Sequence, residues 1–197
     1  MKIMAFDPSK YTGWAVYDTS KHMSSIECGV FEMPDKADEY FTAEELGRRV
    51  NALIKQYGKP DIVVLEEMAR AQIGPSNAAA IIYAAGSAFA IMATIGNWGI
   101  PSGTIMPSRW RKMFFGEGFK PPQKIVKGKK PTNDWKVAAV AECERMGVIL
   151  PTKKTISHNA AEAVALAICW RGITIHAGRH HAAIMNLLQQ RNERAAA

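Results

Sequence analysis

IMAFDPSKYTGWAVYD, residues 3–18, passes from an apolar run into an aspartate and a proline, turns through polar residues and a glycine, and becomes apolar again. Residues 2–6 and 13–18 read as two strands joined by a tight turn, and residues 24–33 continue as a third. Connections this short make antiparallel neighbours. A carboxylate at the tip of a core strand is unusual in a purely structural role, although Asp7 before Pro8 is also a good turn former.

Outward from this hairpin, the chain alternates. Residues 42–57 carry Leu46, Val50, Leu53, Ile54 and Tyr57 at helical spacing, with Thr42 and Glu45 as a capping box and Gly58 and Pro60 as a stop. Residues 61–67, DIVVLEE, form a continuous apolar run, as in a central strand covered on both faces. From Ala71 to Ser108 there is no charged residue. The stretch 77–100 is long enough to span a bilayer. Its richness in alanine, glycine, serine and threonine, without basic residues at its ends, instead predicts a buried helix, no membrane contact, and a possible subunit interface. Residues 102–106 read as a strand, 107–115 as a short helix begun by Pro107, and 116–133 as a loop. Residues 134–147 read as a helix with Val137, Val140, Ala141 and Met146 inward, and 158–175 as a final core helix capped by Ser157 or Asn159. Strands first, then alternating helices and strands, predict an α/β fold: one mixed sheet with helices on its faces. Residues 1–175 make one domain, and 176–197 a polar helical tail.

A length of 197 residues suits a single core, and 48% hydrophobic with 22% charged residues is ordinary for a globular protein. Residues 1–7 pass straight into a strand pattern, leaving no signal peptide in view. Three cysteines without CxxC spacing fit a reduced cytoplasm rather than a disulfide or zinc framework. The +7 charge is concentrated. Arg109, Arg111, Lys112, Lys120, Lys124, Lys127, Lys129, Lys130 and Lys136 lie within one segment, opposed only by Glu117 and Asp134. Such a segment on a neutral body is what a polyanion such as nucleic acid contacts. His176, His180 and His181 have partly metal-like spacing but read better as a solvated helix end.

Acidic residues end several core elements. Asp7 closes the first strand, Glu66 and Glu67 close the apolar strand, and Glu162 sits in an apolar helix with His158 and Asn159 within one turn of it. Carboxylates brought together repel, and a divalent cation such as magnesium or manganese relieves that repulsion.

IMAFDPSKYTGWAVYD, PDIVVLEE (60–67) and HNAAEAVALAIC (158–169) resemble, in order and spacing, the three motifs of the RuvC family of Holliday junction resolvases, over residues 2–171. The weak similarity outside the motifs resembles a divergent phage or viral member. The first motif alone also resembles the phosphate loop of actin-like kinases, but the chain is too short for two such domains and has no second glycine-rich loop. The RuvC resemblance implies a ribonuclease-H-like fold with a five-stranded mixed sheet, a homodimer in the cytoplasm of a bacterial or phage-infected cell, and branched DNA as substrate. It implies two magnesium or manganese ions per site, held by Asp7, Glu66, Glu162 and position 159. It also implies paired symmetric nicks leaving 5′-phosphate and 3′-hydroxyl ends. Two departures stand out. Asn159 occupies a position that is Asp or His in better-known members, and asparagine can offer an oxygen but cannot act as a base; His158 is the neighbouring alternative. Ala69 stands where an aromatic often stacks at the opened junction, so Met68, Ile73, Trp110 or Phe114 would have to substitute. Two further readings are a less selective nuclease on branched DNA, forks or RNA–DNA hybrids, and a catalytically impaired junction binder.

Overall fold

The computed structural model describes residues 1–68, 78–126, 128, 130–174, 185–187 and 189–190. Lys127, Lys129, Ala69, Ile73, His176, His180 and His181 lie outside them.

The expected mixed sheet is present. Its strands are β1 (Lys2–Asp7), β2 (Thr12–Asp18), β3 (Glu27–Phe31), β4 (Ile62–Glu66) and β5 (Ser102–Ile105), in the order β3-β2-β1-β4-β5. The first three are antiparallel, and β4 and β5 run parallel to β1. Helices α1 (Glu39–Tyr57) and α2 (Ala78–Asn97) cover one face. Helices α3 (Pro107–Phe115), α4 (Trp135–Arg145) and α5 (Ser157–Ile168) cover the other.

Strand alternation sorts the side chains between these layers. Met4, Phe6, Val63 and Leu65 face α1 and α2, while Ile3, Ala5, Ile62 and Val64 face α5. Phe6 lies opposite Leu65 in the parallel β1–β4 pair. One residue further, Asp7 and Glu66 therefore end adjacent strands on the α5 side, and Glu67 has the opposite parity.

Helix α5 is buried almost throughout, from Ser157 to Ala167. Its alanines let it sit close to the sheet, and closest at Gly13. A Cβ at Gly13 would lie 1.9 Å from the Asn159 carbonyl oxygen and 2.3 Å from its carbonyl carbon. The glycine of the opening hairpin is thus required by the helix lying on it.

Several local expectations are corrected. Helix α1 starts a turn early, because the Asp38 carboxylate accepts the Phe41 N–H at 2.7 Å. Thr42 is inside the helix and buried, and Glu45 pairs with Arg48 and Arg49 instead of capping. Residues 23–25 form a single 3₁₀ turn before β3. The 116–133 loop contains a two-residue hairpin, β6 (Gln123–Lys124) with β7 (Thr132–Asn133). Helix α4 turns Ala138, Ala139 and Cys143 inward, and Val137 and Ala141 are exposed. Helix α5 ends at Ile168, followed by a 3₁₀ turn and a bridge between Thr174 and Thr104. Neither Ser157 nor Asn159 caps it: Ile156 holds that position, and the Ser157 hydroxyl donates to the Lys154 carbonyl. Of the tail, 185–187 and 189–190 are helical, and Leu187 packs against the α5-side core. All three cysteines are free thiols.

Helix α2 is one helix long and apolar enough to cross a membrane. Ser87, Ala88, Ile91 and Ile95 are buried, the last three against the sheet and α1, while Ile82, Phe89 and Met92 are exposed on its outer side.

Gly13→Ala is expected to lose about 3 kcal/mol in urea denaturation, the upper end for overpacking, because backbone rather than a flexible side chain blocks the added methyl. Gly86→Ala, where nothing lies within 4 Å, should be neutral or stabilise by up to about 1 kcal/mol. Equal effects at the two sites would refute the close-approach account.

Candidate active site

The three strand and helix ends open into one cleft of about 670 Å³. Asp7, Glu66, Asn159 and Glu162 line it, with Lys136 and His158 at one side and Lys10, Tyr11 and Tyr83 at another. Asp7, Asn159 and Glu162 are each only 8% exposed, which is rare for such side chains unless they are paired or functional. The turn between β1 and β2 is closed locally: the Thr12 hydroxyl donates to the Ser9 carbonyl at 2.7 Å. The Ser87 hydroxyl of α2 donates to the same carbonyl at 3.0 Å, tying that helix to the turn below Asp7.

Each carboxylate has a distinct partner. Asp7 lies beside Glu162, whose charge acts on it. Glu66 accepts the Trp110 indole N–H at 2.7 Å. Among the described residues, no three His, Cys, Asp or Glu side chains form a ready-made ion cage. The acids share a cleft but are turned toward one another and toward Trp110.

Burial and mutual repulsion set their proton affinities. Burial, then the charges of Glu162 and Glu66, holds Asp7 well above the usual carboxylate range, with Lys136 opposing. Burial and Glu66 push Glu162 up to about 7, opposed by Lys136 and Arg111. Burial also raises Glu66, offset by the Trp110 bond and by Arg111. The Lys136 ammonium donates to His158 Nε2 at 2.9 Å. Burial and that neighbouring charge lower His158 to about 4, so its ring is neutral at pH 7.

The expected basic residues divide. Lys136 lines the cleft and Arg111 acts on its carboxylates. Arg109, Lys112, Lys120, Lys124 and Lys130 are exposed on α3, the following turn and the small hairpin. Lys112 pairs with Glu117 at 2.8 Å. The substitutes expected for a stacking aromatic fare poorly: Trp110 is fully buried and Phe114 half-buried, leaving Met68 exposed but not aromatic. Sequence reasoning did not single out Trp110 as a Glu66 partner or Lys10 as a cleft residue. The only available signals were a tryptophan inside a helix otherwise rich in charge and a lysine within the first turn.

The sign of the pH effect follows from the raised carboxylates. An unfolded chain releases these protons between about pH 4 and 5, whereas the fold retains that of Glu162 to about 7. The folded state binds more protons in this window, so stability falls as pH rises through it. In chelator, Tm is expected to drop by about 5 °C between pH 5 and 8, and Glu162→Gln should reduce the drop, leaving the part that buried Asp7 contributes. A slope unchanged by the substitution would show that Glu162 is not held protonated.

No family model matches the chain, and no curated protein matches it. Solved structures do. The chain is similar to T. thermophilus RuvC in complex with a Holliday junction substrate, at 15% identity, with 86% of this chain and 91% of that one covered and a TM-score of 0.56. It is also similar to a second Thermus thermophilus RuvC structure, at 12% identity, with 88% of this chain and 99% of that one covered and a TM-score of 0.57. With its five-stranded mixed sheet and two helical layers, the chain has the ribonuclease-H-like fold of RuvC.

Proposed function

We propose that this protein is a RuvC-family, metal-dependent, structure-selective DNA endonuclease that resolves four-way junctions by paired symmetric nicks. The observation that carries the reading is the meeting of Asp7, Glu66 and Glu162, from three distant segments, in one cleft of a RuvC-like fold. The donor set fits hard divalent cations: three carboxylates whose burial and mutual repulsion a cation would offset, plus the Asn159 amide oxygen. These four residues would hold magnesium or manganese, two ions per site by the family resemblance. Bound there, such ions supply an activated water and stabilisation of the leaving 3′ oxygen in an in-line displacement.

The chain's own residues have complementary tasks. Trp110 fixes Glu66 in place, so its orientation does not depend on solvent. Lys136 and Arg111 bring positive charge toward the carboxylates and are placed to hold a scissile phosphate. His158 is neutral and engaged by Lys136, which makes it a positioning partner for that ammonium rather than a cation facing DNA. Asn159 can coordinate but cannot take a proton. Arg109, Lys112, Lys120, Lys124 and Lys130 serve phosphates without reading bases. A homodimer fits both the substrate and the surface: a four-way junction has two-fold symmetry, and α2 exposes Ile82, Phe89 and Met92 as an apolar stripe.

The test is cleavage of a synthetic mobile four-way junction in magnesium and in manganese, beside flap, fork and RNA–DNA hybrid substrates. Paired, ligatable nicks are expected, reduced about 10²-fold or more by Asp7→Asn. Affinity should fall steeply with salt. Equal cleavage of all substrates would replace the resolvase reading with a broad nuclease. Tight junction binding without nicking, corrected by Asn159→Asp, would identify a catalytically impaired binder.

A further inference from the structure

Arg111 belongs to two surroundings. Its charge acts on Glu66 and Glu162 in the cleft. It also lines a second cavity of about 390 Å³, formed with Ser108, Lys112, Glu117, Phe119 and Trp135 between α3, the turn after it and the start of α4. That volume is within the range of about 300–1,000 Å³ usual for small-ligand pockets.

The walls of this cavity are unusual for a protein surface. The Arg111 guanidinium carbon lies 5.3 Å from the Trp110 ring centre and 5.2 Å from that of Trp135. Its Nε is buried and makes no hydrogen bond among the described residues. Phe119 stacks on Phe115 at 4.5 Å and 12° and stands 6.3 Å from Trp135. It remains 42% exposed, on a turn whose Gly116 and Gly118 adopt positive φ. The Phe115 ring behind it fixes its orientation, so it is a rigid apolar plate rather than a loose side chain. Lys112 is engaged with Glu117 at the rim, which leaves Arg111 as the cation facing inward.

An aromatic wall beside a guanidinium suits a planar ring bearing acceptors, attached to an anionic chain. We infer that this cavity takes one unpaired nucleotide of the DNA, its base against Phe119 and Trp135 and its acceptor atoms toward Arg111. Paired duplex hides its base faces, so the pocket selects strands that are open next to the cleft. The inference deepens the nuclease reading and rests on it for the identity of the ligand.

The test uses the full chain and a short single-stranded oligonucleotide containing 2-aminopurine, whose fluorescence is quenched by stacking. Wild type should bind and quench. Phe119→Leu, which keeps the apolar volume, should bind roughly tenfold more weakly and lose the quenching. Phe119→Tyr should restore both. A fully paired duplex of the same sequence should not displace the oligonucleotide at equal concentration. Quenching and affinity equal in wild type and Phe119→Leu, with matching melting temperatures, would overturn the pocket. So would equal displacement by duplex. Junction cleavage separates the two claims: cleavage with Phe119-independent quenching removes the pocket alone. Phe119-dependent quenching without any nicking supports the pocket and removes the resolvase reading.

Discussion

Helix α5 rests on the opening hairpin with no room for a methyl group between them, and the site depends on that contact. Gly13 is the point of approach, and the backbone touching it belongs to Asn159. The spacing of three between Asn159 and Glu162 then brings Glu162 to the end of β1, in one cleft with Asp7. The alanines of α5 allow this closeness. Larger side chains would lift the helix away and separate the two carboxylates.

Placing three acids at the ends of buried elements carries an electrostatic cost, and the surroundings show how the fold meets it. An indole N–H holds Glu66, and Lys136 and Arg111 supply opposing charge. Arg111 is itself enclosed by two tryptophan rings, so its charge is delivered along a fixed direction. Aromatic packing on α3 and electrostatics in the cleft are therefore one arrangement. The helix that carries Trp110 toward Glu66 also carries Arg111 toward the neighbouring cavity.

Much of this was legible in the residues alone. Period-two patterning and short turns are local signals, and they marked the hairpin, β4 and the mixed sheet. Strand ends were marked by acids replacing apolar residues, which singled out Asp7 and the pair Glu66 and Glu67, and the resemblance to the RuvC motif chose Glu66. Helix boundaries were less legible. Asp38 outcompeted Thr42 as the cap of α1 because its carboxylate reaches the Phe41 N–H, while Thr42 faces the core. The inward face of α4 was legible in part: Val140 and Met146 pack half-buried against the α5-side core, but Ala138, Ala139 and Cys143 are the residues fully buried there, and Val137 and Ala141 are exposed.

What the sequence determined by itself was the order of elements, the alternation that sends Glu66 and Glu67 to opposite faces of the sheet, and the concentration of positive charge in one segment. These follow from side-chain alternation and composition, which need no distant partner. Only the tertiary structure decided the rest. It showed that Gly13 is forced by α5, that Trp110 is a buried partner of Glu66, that His158 is neutral beside Lys136, and that Phe119 stands exposed against Phe115. Each of these depends on segments tens of residues apart meeting at atomic distance, and no local pattern encodes which side chain will be waiting there.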